Sequence, residues 1–352
     1  MGTCCATVKP TVTPVKFSTS FKGVTKYNHP ENLELLDSSW QVLRGQSATE
    51  KENPGQEKSF FINSAKSQDF FKDLGLSISS KKGLKSFPFN QDDYSVIFNK
   101  ETLFISVFDG HGVHGNEISN YLHIVLPNLI LTHPSFPSEI ESVLRESFFK
   151  CNTYLHQYCE SIQIKTELSG STCTIIIIHN HTMHICNIGD SKAIISDTKG
   201  NIYKLTVDHK PCNPKEMERV IKSGGEVKKS ESESIYRIFI QNLRMPGISV
   251  SRAFGDSIAQ TIGVTVDPDI SKRDISEDDL FLMVCSDGVW EFLTEPNAVD
   301  IVTAAQHPGA ELAEKAWDKW IEIEVNAADD ITAVVLNLKQ YFERLNELKS
   351  VE

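Results

Sequence analysis

The sequence predicts an α+β protein in which helices and antiparallel strands form separate layers. Three observations lead there. Short runs rich in Val, Ile and Phe recur and are bounded by Gly, Asn and Asp, as buried strands are. Consecutive runs are joined by tight turns such as Asp197-Thr198-Lys199-Gly200, which suit hairpins. The helical stretches come in pairs, without the strand–helix–strand alternation of parallel sheets.

Taken in order, residues 1–58 are polar and unpatterned and read as a flexible extension with little core of its own. Residues 59–340 read as one domain, because apolar strands run through the whole stretch with no linker, and residues 341–352 as a C-terminal helix or tail. Residues 94–98 and 103–108 are the first strands. Ile118, Tyr121, Leu122, Val125, Leu126 and Leu129 then share one face of a helix. Ser138-Glu139-Ile140-Glu141 is patterned as a capping box opening a second helix, with Val143, Leu144, Phe148 and Cys151 on its buried side. Strands follow at 173–178, 183–188, 192–195 and 202–205. Asn213-Pro214 opens a short helix that Gly224-Gly225 ends. Residues 280–285 and 331–336 are further strands, and 310–323 and 340–349 further helices.

Composition excludes some functions. The chain has 352 residues and a net charge of −12, which disfavours nucleic acid, whose binding is led by Lys and Arg. No run reaches the ~20 apolar residues of a membrane helix, and the first thirty residues lack a secretory apolar core. The eight cysteines show no Cys-x-x-Cys spacing, and Cys173, Cys186 and Cys285 sit in apolar runs. A monomer in a reducing compartment, cytoplasm or nucleus, is expected. Met1-Gly2-Thr3-Cys4-Cys5 offers an acylation site at Gly2 and thiols at Cys4 and Cys5, which would tie the protein peripherally to a membrane. Ala6 stands where that pattern prefers Ser or Thr, so an unmodified tail is the favoured reading. His179, His181 and His184 are spaced for a hairpin and read as solvated turn residues.

The chemistry lies at strand ends. Asp92 precedes one strand and Asp109-Gly110-His111-Gly112 closes the next; Ser286-Asp287-Gly288 follows a third and Asp329-Asp330 precedes a fourth. Each alone is as readily a turn residue. Brought together, such carboxylates would repel one another strongly unless cations joined them.

These segments resemble the type 2C (PPM) metal-dependent serine/threonine protein phosphatases. The likeness runs from Lys82 to Leu338 through blocks in the family's order. They are Asn90-Gln91-Asp92, residues 107–112, residues 169–172, residues 187–193, Leu205-Thr206-Val207-Asp208-His209-Lys210-Pro211, Val250-Ser251-Arg252-Ala253-Phe254-Gly255-Asp256, Ser286-Asp287-Gly288-Val289-Trp290 and Asp329-Asp330-Ile331-Thr332. The resemblance implies a four-layer αββα sandwich, two antiparallel sheets flanked by helices, with a dinuclear metal cleft at one end. It implies hydrolysis of phosphoserine and phosphothreonine in proteins by a water bridging two Mg²⁺ or Mn²⁺ ions. Asp109 would bridge the ions, Asp92 and the Gly110 carbonyl would help hold one, and Asp287 and Asp329 the other. His111 would be the general acid. Asp190, with Asp287 and Glu291, would form a weaker third metal site.

The chain also departs from the family's pattern. The stretch just before Asn90, Lys85-Ser86-Phe87-Pro88-Phe89, holds no arginine where relatives often have one, so Lys85, or Arg244 in the segment resembling the flap, would have to grip the phosphate, and a lysine cannot make the bidentate fork. Asp330 stands where relatives carry Asn, and adds charge beside a ligand. Asp208-His209-Lys210-Pro211, Arg252 and Asp256 are expected to organise loops and buried polar contacts. The rival reading is a catalytically weak or inactive phosphoprotein-binding module on the same fold.

Overall fold

A side-chain alternation of two along central strands assigns each sheet face to its own layer of core. In the strand Cys173–His179, Ile175 and Ile177 join the cluster beneath the helices Gly115–Leu131 and Ile140–Ser161, while Ile176 and Ile178 face the opposite sheet. In Asp279–Cys285, Leu282 and Val284 face inward between the sheets, and Met283 and Cys285 pack under the helices Glu295–Ala304 and Pro308–Glu324. The order is therefore helix, sheet, sheet, helix, and the expected αββα sandwich is what forms. The computed structural model describes residues 35–62, 68–229 and 235–350.

The larger sheet has nine strands. Its main path runs Asp269–Asp274, Thr182–Ile188, Cys173–His179, Thr102–His111, Asp92–Phe98, Gln41–Gly45 and Phe60–Ile62, all antiparallel. The facing sheet runs Ile202–Lys204, Lys192–Asp197, Asp279–Cys285, Ile331–Asn337 and Leu76–Lys81. A small sheet of Gly225–Lys229, Tyr236–Ile240 and Pro246–Ile248 has its own core around Val220 and Ile238. The helices Gln68–Asp73 and Leu338–Ser350 plug the sandwich through Phe70, Phe71, Tyr341 and Leu345. Phe70 lies against Phe98, so that plug sits at the end of the strand Asp92–Phe98 away from Asp92. None of the described helices is long and apolar enough to cross a membrane.

Three sequence expectations are corrected. The boundary at residue 58 falls too late. Val42 and Leu43 are buried, and Gln41–Gly45 pairs with Asp92–Phe98 from Gln41 opposite Phe98 to Arg44 opposite Ser95. The strand carries only two apolar residues, Val42 and Leu43, a signal too short to stand out in a polar stretch. The C-terminal helix begins at Leu338, so residues 338–340 belong to it rather than to the domain before it. The capping box at Ser138 does not form. The Ser138 hydroxyl donates instead to the Ser135 carbonyl, and Glu139 makes no side-chain cap. Asn213 does cap its helix, accepting from the Lys215 N–H at 3.3 Å. Gly2, Cys4 and Cys5 lie outside the described residues.

Candidate metal centre

Five aspartates converge because five strand ends do. Asp92 opens one strand, and the register places it directly opposite Asp109 on the next. Asp287 begins the short helix Asp287–Trp290 just after Asp279–Cys285. Asp329 lies two residues before Ile331–Asn337. Asp190 sits in the turn between Thr182–Ile188 and Lys192–Asp197, where the chain crosses from the nine-stranded sheet to the five-stranded one. Ser286 ties the sheets together here. Its hydroxyl donates to Asp92 Oδ2 at 2.6 Å and accepts from the Thr332 N–H at 3.0 Å.

Carboxylate oxygens of Asp109, Asp190 and Asp287 all lie within 4.8 Å of one another, a spacing one hard cation can span. Asp92 Oδ1 and Asp287 Oδ1 are buried with no hydrogen-bond partner among the described residues. Orphaned buried carboxylate oxygens are expensive unless something positive meets them, so these residues fit divalent cations with oxygen ligands. Gly110 needs its missing side chain. A Cβ there would lie 2.4 Å from the Gly115 carbonyl oxygen and 2.6 Å from that of Gln91, which keeps position 110 open to backbone contact alone.

The electrostatics agree. Burial raises the carboxyl pKa of Asp109 well above the carboxylate range, and Asp287, Asp92 and Asp329 add to the rise. Burial does the same for Asp287, joined by Asp329 and Asp190, and more mildly for Asp329. Asp92 is pushed up to about 7 by burial and then by Asp330. Without a cation the cluster would hold protons at neutral pH; bound cations invert that preference.

Two lysines enter the cluster. Lys85 forms an ion pair with Asp329. Burial opposes its charge, but Asp329, Asp330 and Asp109 outweigh that and raise its pKa. Lys210 pairs with the buried Asp190. His111 stands beside the acids with Nε2 2.6 Å from Asp256 Oδ2. Burial opposes the imidazolium, but Asp256 and then Asp190 outweigh it, so its pKa is raised. Asp330 lies behind the cluster. Its carboxylate accepts from the Gly83 N–H at 2.6 Å and the Gln91 N–H at 2.9 Å and faces buried Lys82 at 3.5 Å. The charge it adds beside Asp329 is thus partly matched.

The structure does not gather every expected residue. Glu291 is exposed at the end of its short helix, a turn away from Asp287. Arg244 is exposed in the turn between Tyr236–Ile240 and Pro246–Ile248 and joins none of the cluster's ion pairs. Asp190 lies in the same group as Asp109 and Asp287. Lys210, Asp256 and Ser286 were missed, because loop-organising and site-contacting residues look alike before the loops are placed. Arg252 does organise structure, with Nη2 2.7 Å from buried Glu216 and Nη1 2.7 Å from Asp269. His179 contacts Thr102 Oγ1 and His181 stacks on Phe342, so the two serve a turn.

The sequence model of the protein phosphatase 2C family matches residues 86–328. The chain belongs to the protein phosphatase 2C family. A probable protein phosphatase 2C 61 from Arabidopsis thaliana is 34% identical over 281 residues, covering 75% of this chain and 84% of that protein. A probable protein phosphatase 2C 72 from the same plant is 31% identical over 286 residues, covering 75% and 85%. The fold resembles a serine-threonine phosphatase 2C from Toxoplasma gondii with TM-score 0.67 and 18% identity, covering 82% of this chain and 96% of that one. Within the 2C family match lie Asp92, Asp109, Gly110, His111, Asp190 and Asp287, whereas Asp329 falls one residue beyond it and Lys85 one before.

Proposed function

We propose that this protein is a Mg²⁺- or Mn²⁺-dependent phosphatase acting on phosphoserine and phosphothreonine side chains of proteins. The observation that carries the reading is the approach of Asp109, Asp190 and Asp287 within 4.8 Å beside the His111–Asp256 pair. Two divalent cations bound there would supply charge to hold the phosphate, activation of the attacking water and stabilisation of the displaced oxygen. Asp109, Asp287 and Asp190 would hold them, with Asp92, Asp329 and the Gly110 carbonyl around them.

The other residues have separable tasks. Asp256 takes Nε2 of His111 and favours the protonated ring, leaving Nδ1 to give a proton to the departing serine or threonine oxygen. Lys85 brings positive charge to the mouth of the cluster and draws in the phosphate, without the paired hydrogen bonds an arginine would add. A thiol nucleophile is disfavoured. Cys285 is fully buried and burial raises its pKa, so it offers no thiolate. In this reading water attacks phosphorus directly and no covalent phospho-enzyme forms.

A phosphothreonine peptide should be hydrolysed with Mn²⁺ present, and turnover should vanish with EDTA or in Asp109→Asn. Phosphate release that survives either treatment would sink the reading. Phosphopeptide binding without turnover would favour the binding-module alternative.

A further inference from the structure

A buried lysine outside the cluster sits in the stretch that reads from sequence as a loose extension. Lys58 has a side chain only 1% exposed. Its ammonium donates to the Asp92 carbonyl and to the Asn90 carbonyl at 3.4 Å, and forms an ion pair with Asp93 Oδ2 at 3.1 Å. Two of these three are backbone carbonyls of the segment that presents Asp92. The same segment is gripped from other sides. Buried Glu52 accepts from the Asn90 N–H at 2.6 Å, and the Asn90 side chain accepts from the Asp92 N–H at 2.9 Å. Lys58 is itself anchored, its N–H donating to the Ser80 carbonyl at 2.7 Å. Asp93 also faces His123 Nδ1 at 3.3 Å. Burial holds that imidazole's pKa down at about 4, so at neutral pH the charge on Asp93 is answered by the Lys58 ion pair together with the nearby Arg44 guanidinium.

We propose that Lys58 is a positioning residue for the metal centre. It fixes the backbone of Asn90 and Asp92 so that Asp92 Oδ1, orphaned and buried, stays aimed at the cation. This rests on the proposed metal site and extends it to residue 58, outside the matched family segment. A hydrophobic residue would fill the space, but could not hold two carbonyls in place. Outer partners of metal ligands typically contribute 10–100-fold to metal affinity.

The test uses the full chain and three readouts: Mn²⁺ affinity by calorimetry, melting temperature in EDTA, and turnover of a phosphothreonine peptide against Mn²⁺ concentration. Lys58→Met alone removes the ion pair of buried Asp93 and is prone to unfolding, so Lys58→Met combined with Asp93→Asn is the decisive variant. Its Mn²⁺ affinity should fall about 10–100-fold, with turnover recovering as Mn²⁺ is raised. Wild-type affinity in this variant, whatever its melting temperature, overturns the proposal and shows Lys58 to be structural only. Wild-type protein that takes up no Mn²⁺, or takes it up equally after Asp109→Asn, overturns the metal site and the positioning role together. Wild-type protein that binds Mn²⁺ through Asp109 yet hydrolyses no phosphopeptide refutes the phosphatase reading, and the affinity comparison still decides on Lys58.

Discussion

Replacing Asp92 by Asn should make the metal-free protein more stable, and the gain should grow with pH. Asp92 is buried and its folded-state pKa is pushed up to about 7, by burial first and by Asp330 next, against 3.8 for the free side chain. A carboxyl whose pKa is higher in the folded state binds its proton more tightly there, so folding loses stability as pH rises from the unfolded value through the folded one. At about 1.4 kcal/mol per unit, the full loss is on the order of 4 kcal/mol above pH 7, and roughly 1.5 kcal/mol at pH 5. Asn keeps an oxygen for the Ser286 hydroxyl and carries no charge to desolvate. Urea unfolding in EDTA should therefore show Asp92→Asn more stable than wild type, by roughly 2–3 kcal/mol more at pH 8 than at pH 5. With saturating Mn²⁺ the order should reverse, because only wild type offers the carboxylate. A stability difference independent of pH, or a variant less stable than wild type in EDTA at pH 8, would refute the electrostatic account.

Other outcomes follow from the same geometry. Asp256→Asn should lower kcat about 10–100-fold while leaving Mn²⁺ affinity unchanged, since Asp256 touches His111; His111→Gln should lower kcat about 10²–10⁴-fold. An equal loss of Mn²⁺ affinity in either would show the pair to be part of the metal site instead. His123 contributes to pH dependence with the opposite sign to Asp92. Burial lowers its pKa to about 4, so the unfolded state binds the extra proton and stability falls as pH drops from about 6.5 to about 4, on the order of 3 kcal/mol in all. Relative to His123→Gln, wild type should lose that amount across the interval in EDTA-treated samples, as read by urea unfolding. Mass spectrometry of protein from its own cells should report whether Gly2, Cys4 or Cys5 carries an acyl chain.

Much of this protein is written locally in its chain. The run Ile175-Ile176-Ile177-Ile178 can only be a strand buried on both faces, and such strands demand layers on both sides. The periodicity from Ile118 to Leu129 and the Asn213-Pro214 helix start are likewise properties of a few adjacent residues. The aspartates at strand ends were legible too, because a carboxylate beside a turn glycine interrupts an apolar run in a way a reader can see.

Partnerships across the sandwich belong to tertiary structure alone. Nothing near Asp256 in sequence announces that it holds a histidine 145 positions earlier, and nothing near Lys58 announces the carbonyls of residues 90 and 92. Lys82 and Asp330, 248 positions apart, meet only because two strand ends of different segments are folded side by side. Asp190 acquired its central place from the crossing of the chain between sheets, a path that no local pattern encodes. Side-chain periodicity is set by bonds within a segment, and so survives in the sequence. Electrostatic pairing is set by distance through space, and exists only once the layers have closed.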